Sequence, residues 1–284
     1  MPAGGGHNDY AGNEVDSIKL SDDAPAWIER RASTPVAQIT RNSNHYLDGR
    51  PTSRHSYYGV TFSQQRNRAM TFGGVCWGDG SSISSCDGFN PATNDWDPAN
   101  TYPNAPQLAH PAAAVTADEK TGDVYTFLHF SVFCWNAASN TWRTLIDGTS
   151  PVYGDEAATA CDTRRNRILI IGGLASEHYF YDIGTGAVQA VSFTGLAGQA
   201  MSNGNGLVYV PALDAYLLRT DDAGATIYRI DAQTLNVDIP PTRGGDSVTA
   251  AFNHVYRRFL YAPQLGGVVY SPDYNSDLWF LRTS

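Results

Sequence analysis

A pattern of glycine pairs and tryptophans repeats along the chain at a spacing of about 46 residues. Residues 89–96 (FNPATNDW) return as residues 135–142 (WNAASNTW), and residues 66–74 return about two periods later as residues 165–173. Each copy of the second segment has an Arg-Asn-Arg turn, a short run that forms a strand, and a Gly pair. A repeat of this length, with a Gly pair after one strand and a Trp after a turn, predicts the blades of a β-propeller.

The composition fits one all-β domain that covers residues 1–284. The aromatic content of 12%, with 27 Gly and 15 Pro, is expected for many short strands joined by tight turns. No segment resembles a linker, and no apolar stretch is long enough to span a membrane. The net charge is −9 and the basic residues form no stripe, which argues against nucleic acid as a partner.

The best copy predicts the four strands of one blade. Residues 56–62 form the first strand, residues 69–72 form the second strand before Gly73-Gly74, and a long loop leads to a third strand around residues 87–89. A turn at residues 90–94 then precedes a short outer strand. Trp96 in that strand and the equivalent Trp142 are predicted to be largely buried between neighbouring sheets.

Further copies span most of the chain. They cover residues 112–142, 157–188 and 206–230, and a last copy at residues 259–282 lacks a fourth strand. The start of the chain resembles the second half of a blade, with a third strand at residues 14–20 and a fourth at residues 26–29. We therefore expect five or six blades with incomplete terminal blades, and we favour six.

The four cysteines are too few for a fold built on disulfides. Cys76 and Cys86 bracket one glycine- and serine-rich loop and are able to pair there in an oxidising compartment. Cys134 and Cys161 lie in apolar surroundings and are expected to be small buried side chains.

The copies resemble the kelch-type β-propellers, through the Gly pair after the second strand, the aromatic-Asp/Asn-x-x-Thr/Ser turn and the Trp. The resemblance covers nearly the whole chain and is degenerate in the fourth and last copies. Residues 4–15 and 48–57 look like segments of kelch-like proteins of proteobacteria and their phages. Proteins of this kind begin upstream of residues 4–7, which implies an incomplete first blade here. Some polysaccharide lyases, including the ulvan lyases, are similar propellers that use His, Tyr and Arg.

The strand directions predict a rim of polar residues on one face of the propeller. The loop that enters the first strand and the loop that leaves the second open on the same face, so histidines from several blades converge there. Such a concave mouth is a common ligand site, although a polar residue at a blade junction often only binds a backbone carbonyl. The predicted ligand-binding rim consists of His7, Asp9, Tyr10, Arg54, His55, Tyr57, His110 and His129, accompanied by Asp155, Glu156, Asp221 and Asp222.

The opposite face carries the Arg66 and Arg167 turns, which we expect to be solvated. No metal-binding motif and no glycine-rich phosphate loop is present, so neither a metal nor another cofactor is expected.

Two functions fit this sequence. The first is a non-enzymatic binding or structural propeller, such as a phage tail or capsid-surface protein that contacts a glycan or another protein subunit. A virion or extracellular location is expected, and no signal peptide is visible at the start of the sequence. The alternative is a polysaccharide lyase that cleaves a uronate-containing glycan by β-elimination, with His55 or His110 as the base, Arg54 as the neutralising cation and Tyr57 as the acid.

Overall fold

The computed structural model describes residues 10–78, 80–106, 113–200, 203–220, 226–242, 248, 254–272 and 276–283, and it is almost entirely β-structure. The chain divides into two compact units, Met1–Thr126 with Val132–Thr144, and Phe127–Ser131 with Leu145–Ser284. Within the described ranges no helix is long and apolar enough to cross a membrane. The predicted all-β class is confirmed.

The first unit contains a two-stranded antiparallel sheet followed by a larger sheet. The small sheet consists of β1 (Val15–Ile18) and β2 (Trp27–Arg31). The larger sheet has the order β3-β5-β6-β7 with β4 also beside β5; its strands are β3 (Arg54–His55), β4 (Val60–Ser63), β5 (Arg68–Cys76), β6 (Ser82–Asn90) and β7 (Asp95–Trp96). The next sheet along the chain has the order β11-β10-β9-β8; its strands are β8 (Ala114–Ala117), β9 (Val124–Leu128), β10 (Ser131–Asn136) and β11 (Thr141–Ile146).

The second unit contains three further sheets. The first runs β12 (Ala157–Asp162), β13 (Arg167–Gly172), β14 (Glu177–Asp182) and β15 (Val188–Ala190). The second has the order β16-β20-β19-β18-β17; its elements are β16 (Thr194–Gly195), the single-turn helix α1 (Ala197–Ala200), β17 (Gly206–Val210), β18 (Ala215–Arg219), β19 (Ile227–Asp231) and β20 (Asn236–Asp238), with α1 outside the sheet. The last is β21 (Phe259–Ala262), β22 (Gly267–Tyr270) and β23 (Trp279–Arg282).

The five sheets that follow the small β1-β2 sheet are the blades of a five-bladed β-propeller. Within each unit the first strands of consecutive blades contact each other: β4 with β8, β12 with β17, and β17 with β21. The blade number is the lower of the two expected, not the favoured six, because β1 and β2 form only two strands in the described part of the chain. They pack against the following sheet through Val15. The described residues of the last blade form three strands, in agreement with the prediction.

The Gly pair of the first blade does not end its strand. Strand β5 continues through Gly73 and Gly74, whose φ angles are +61° and +117°, and the register with β6 shifts between Phe72 and Gly74. A Cβ on Gly74 would lie 2.4 Å from the backbone oxygen of His55. The pair is therefore a bulge that lets β3 approach β5 closely, and the predicted long loop is an extended hairpin instead.

The same hairpin separates the two cysteines that the sequence allowed to pair. Cys86 lies opposite Phe72, four positions from Cys76 along β5, and both thiols are buried and outside any disulfide. Four strand residues span about 13 Å. This exceeds the separation that a disulfide bridges, so that pairing is excluded.

The two equivalent tryptophans differ in burial. Trp96 is only 8% exposed and packs with Val15, Ala69 and Phe89. Trp142 is less completely buried and has an intermediate exposure; its ring meets Phe72 edge-on and its Nε1 donates to the oxygen of Pro103 at 3.0 Å. Strand β1 packs against Trp96 through Val15, and this contact explains why Trp96 is more deeply buried than Trp142.

We therefore expect the two Trp→Ala substitutions to lower the free energy of unfolding by different amounts. Trp96→Ala should lower the free energy of unfolding by about 3–5 kcal/mol, because it opens a cavity in a closed cluster. Trp142→Ala should cost less, about 1–2 kcal/mol, because part of its ring already faces solvent. Urea unfolding of both variants measures the difference, and equal losses would contradict this account of β1.

The arginine turns are not simply solvated, in contrast to the prediction. In the first unit Arg66 donates through Nε to the oxygen of Ala137 at 2.5 Å and lies over the ring of Trp135. In the second unit Arg167 donates to the oxygen of Ala232 at 2.6 Å and stacks on Phe180 at 3.6 Å. In both cases the arginine of one blade binds a turn of the next.

Asp162 organises these contacts in the second unit. Its carboxylate is fully buried and accepts hydrogen bonds from the Arg165 side chain at 3.0 Å and from the hydroxyl of Tyr216 at 3.3 Å. Arg165 also binds both oxygens of Asp214 at 2.7 Å. Hydrogen bonds from Arg165 and Tyr209 hold the pKa of Asp214 well below its usual range.

This network predicts that the Asp162 carboxylate makes a large contribution to the stability of the fold. Asp162→Ala should lower the free energy of unfolding by about 3–5 kcal/mol, because it leaves arginine charges without their buried partner. The matched control is Asp238→Ala, which breaks the exposed Arg229–Asp238 pair and should cost less than about 1 kcal/mol. If chemical denaturation gives similar losses for both variants, Asp162 does not couple the blades.

Candidate functional site

The structure describes five of the eight predicted rim residues. Tyr10, Arg54, His55 and Tyr57 lie in the first unit and His129 lies in the second. The rim residues outside the described residues are His7, Asp9 and His110, together with the accompanying Asp221 and Asp222. The shared rim therefore stays a prediction.

Arg54 belongs to a buried ion cluster that the sequence did not indicate. Its guanidinium donates to Asp87 Oδ2 at 2.9 Å, and His45 Nε2 lies 2.8 Å from Asp87 Oδ1. Arg54 is only 3% exposed, and its remaining bonds go to the backbone oxygens of four residues: Asn44, Thr52, Gly73 and Ser85. An arginine held in this way fixes the loop before β3.

The charge of Asp87 is maintained by these partners. Burial alone would raise the pKa of Asp87, but the charge of Arg54 and hydrogen bonds from His45 and Arg54 outweigh it and lower that pKa. His45 lies 42 residues before Asp87 in the chain. No local sequence signal links the two residues.

The other predicted residues of the first unit are nearer the surface. The rings of His55 and Tyr57 lie 6.1 Å apart, and both residues are partly exposed. Tyr57 has a φ of +35°. Tyr10 is exposed and donates to Glu14 Oε1 at 2.6 Å; this hydrogen bond to a carboxylate raises the pKa of Tyr10.

In the second unit, the tip of the β9–β10 hairpin projects two ring side chains. His129 and Phe130 have φ angles of +45° and +63°, a left-handed conformation that is unusual for bulky residues. The backbone N–H of Phe130 donates to the oxygen of Val152 at 3.0 Å, and Ser150 donates back to the oxygen of Phe130 at 2.8 Å. The following chain thus holds the tip in place.

A histidine–carboxylate pair lies beside this tip. His129 Nε2 is 3.4 Å from Asp155 Oδ2, and the His129 ring lies 5.1 Å from the ring of Tyr153. Asp155 is 3% exposed, whereas the side chain of His129 is 45% exposed. A buried carboxylate that orients an exposed imidazole is an arrangement suited to ligand binding or to proton transfer. Glu156 follows directly and accepts a hydrogen bond from Asn203 at 2.7 Å.

Next to this pair is an open cavity of about 490 Å³. Its volume falls in the range of about 300–1,000 Å³ that is usual for small-molecule sites. Aromatic rings, small residues and a few polar groups make up its lining: Phe130, Pro151, Tyr153, Ala175, Ser176, His178, Tyr179, Ala190 and Val191. We call this the aromatic cavity.

Strand register explains why the aromatic cavity is open. Tyr179 in β14 lies directly opposite Ala190 in the edge strand β15, and a methyl group covers little of a tyrosine ring. On the other side, the rings of Phe130 and Tyr153 lie 5.3 Å apart with their planes tilted by 54°. Three aromatic rings therefore border one concave surface.

Strand directions in the sequence predicted His129 and Asp155 at a binding rim, but they did not indicate the aromatic residues beside them. A signal existed in the segments around residues 127–133 (FLHFSVF) and 150–155 (SPVYGD), which place an aromatic residue next to the predicted histidine and acid. The contribution of Tyr179 and Ala190 depends on strand register and had no signal of its own.

Comparison of the sequence with known family models and with curated proteins gives no match. Among the described residues, no group of three or more His, Cys, Asp or Glu side chains is placed to hold a metal ion.

The Asp87 cluster predicts how stability depends on pH. Because the pKa of Asp87 is lowered from 3.8 in the folded state, the unfolded chain binds its proton first as the pH falls. The stabilisation is therefore complete above about pH 5 and is lost as the pH falls through the lowered pKa. Unfolding free energies of the wild type and Asp87→Asn between pH 3 and 7 should converge at the acidic end.

His45→Ala provides a second comparison. It removes one of the two partners that lower the pKa of Asp87, so the folded-state pKa should rise towards the unfolded value. The acid loss of stability that is due to Asp87 should then begin at the same pH as in the wild type, but it should be smaller and should end at a higher pH. A difference between wild type and Asp87→Asn that does not change with pH would contradict the role of the carboxylate charge.

Proposed function

We propose that the protein is a non-enzymatic, kelch-type β-propeller that binds a glycan through the aromatic cavity. The observation that carries this proposal is the lining of the cavity, in which Phe130, Tyr153 and Tyr179 surround a concave surface with few polar groups. The C–H faces of a sugar ring stack well on aromatic rings, and hydroxyl and imidazole groups bind its hydroxyls. Ser176 and His178 supply such groups at the same surface.

The cellular role that we propose is that of a phage virion protein, in the tail or at the capsid surface, or of another extracellular protein. The support for it is the likeness of residues 4–15 and 48–57 to kelch-like proteins of proteobacteria and their phages. The partner would be a surface glycan or another protein subunit. The acidic charge of the chain agrees with a partner other than nucleic acid.

A polysaccharide lyase is the second candidate, and the His129–Asp155 pair favours it. The His129 imidazole, which Asp155 orients, would act as the base of a β-elimination, and Tyr153, whose ring lies 5.1 Å from that of His129, would act as the acid. The reaction also needs a cation that neutralises the uronate carboxylate. Arg54, which the sequence proposed for that role, donates to Asp87 and to backbone oxygens, and this weakens the lyase alternative.

The binding proposal predicts a specific loss in one variant. Phe130→Ala should weaken glycan binding about ten-fold or more, because it removes one stacking surface. It should leave the melting temperature nearly unchanged, since Phe130 is 45% exposed. Glycan arrays followed by titration calorimetry on the best ligand provide the measurement.

The chain offers a matched control in Phe280→Ala. Phe280 has the same exposed fraction of 45% and lies in the same unit, on β23 and outside the aromatic cavity. Equal effects of the two substitutions on binding would refute the site. Incubation with uronate polysaccharides, followed by ultraviolet absorbance of the unsaturated product, decides for or against the lyase.

A further inference from the structure

We infer that the aromatic cavity takes an uncharged pyranose and discriminates against the corresponding uronate. This inference rests on the proposed glycan binding at the same cavity and names the class of sugar that it accepts. It follows from the charges beside the cavity and from the shape of its walls.

The lining offers little compensation for a negative charge. Of the described residues that line the cavity, none is Arg or Lys, and His178 alone is able to carry a positive charge. A carboxylate that enters loses part of its hydration, and this is costly when no opposite charge replaces the water. A hydroxymethyl group at the same position of the sugar meets a much smaller penalty.

A buried carboxylate near the cavity adds repulsion. Asp155 is 3% exposed and lies two residues after Tyr153, whose ring borders the cavity. Its neighbour His129 compensates this charge only when the imidazole is protonated. The repulsion from Asp155 acts in the same direction as the net charge of −9.

The walls fit the flat, apolar face of a pyranose ring. Ala190 lies opposite Tyr179 and leaves part of its ring exposed, and on the other side the rings of Phe130 and Tyr153 are tilted by 54° to each other. Pyranose C–H groups pack against such rings without any charged contact. Shape and charge therefore favour the same class of ligand.

The experiment compares three pairs of oligosaccharides that differ at C6 alone: gluco-, manno- and galacto-oligomers against the matching uronate oligomers. We expect at least one neutral oligomer to bind about ten-fold or more tightly than its uronate partner. Added salt should narrow the difference, because it screens the repulsion from the protein. Calorimetry at low and high ionic strength measures both effects.

A charge substitution in the cavity tests the cause. Ala190→Arg should raise the affinity for the uronate relative to the neutral partner, because it supplies a cation at the wall. The matched control is Gln189→Arg, the adjacent position of β15, whose side chain points to the other face of the sheet. Gln189→Arg should leave the ratio of the affinities for the neutral and the uronate oligomer unchanged.

The possible results separate the two proposals. If the uronate oligomers bind as tightly as their neutral partners or more tightly, the proposed selectivity is wrong, whereas the proposed glycan binding is supported. If no oligosaccharide of either kind binds, the proposed function itself is wrong. Equal effects of the two arginine substitutions would assign the preference to overall charge and overturn the role of the cavity.

Discussion

Asp162 is the residue on which the packing between the blades of the second unit depends. A fully buried carboxylate is tolerated only where positive charges and hydrogen-bond donors surround it, and here the donors come from two consecutive blades. Arg165 carries the same network onto Asp214, and Arg167 reaches a backbone oxygen of the next blade. The contacts that neutralise the charge of Asp162 are therefore the same contacts that hold the two blades together.

The first unit uses a shorter version of this arrangement. Arg66 binds the oxygens of Ala137 and Ala138 and lies over Trp135. The buried carboxylate of Asp123 accepts a hydrogen bond from the backbone N–H of Ala137 at 2.9 Å. In both units these contacts are made at the turn between the first and second strands. The opposite ends of the sheets are thus free to carry irregular loops, and the aromatic cavity is built from such loops. This separation of a fixed end from a variable end is common in proteins whose loops bind ligands.

The sequence predicted those parts of the fold that local patterns encode. The repeat located the blades at residues 112–142 and 157–188, and it predicted the three strands that the described residues of the last blade form. The Gly73-Gly74 pair was misleading because glycine indicates a need for positive φ, which a bulge satisfies as well as a strand end does. Burial of Trp142, the pairing of His45 with Asp87, and the blade number depend on contacts between distant segments. In the candidate site, the positions of His129 and Asp155 could be predicted from the order and direction of the strands. The exposure of the Tyr179 ring depends on its pairing with Ala190, which the sequence does not indicate.

The conformation of the hairpin tip connects this scaffold to the proposed ligand binding. A bulky residue in the left-handed region costs about 1–3 kcal/mol, and His129 and Phe130 are two such residues in succession. Backbone hydrogen bonds between the tip and residues 150–153 hold that conformation before any ligand arrives. Side chains that are fixed in advance lose less conformational entropy on binding, and this would favour the proposed binding through a small number of stacking contacts. The strain at the tip is therefore consistent with a recognition surface that is already formed in the free protein.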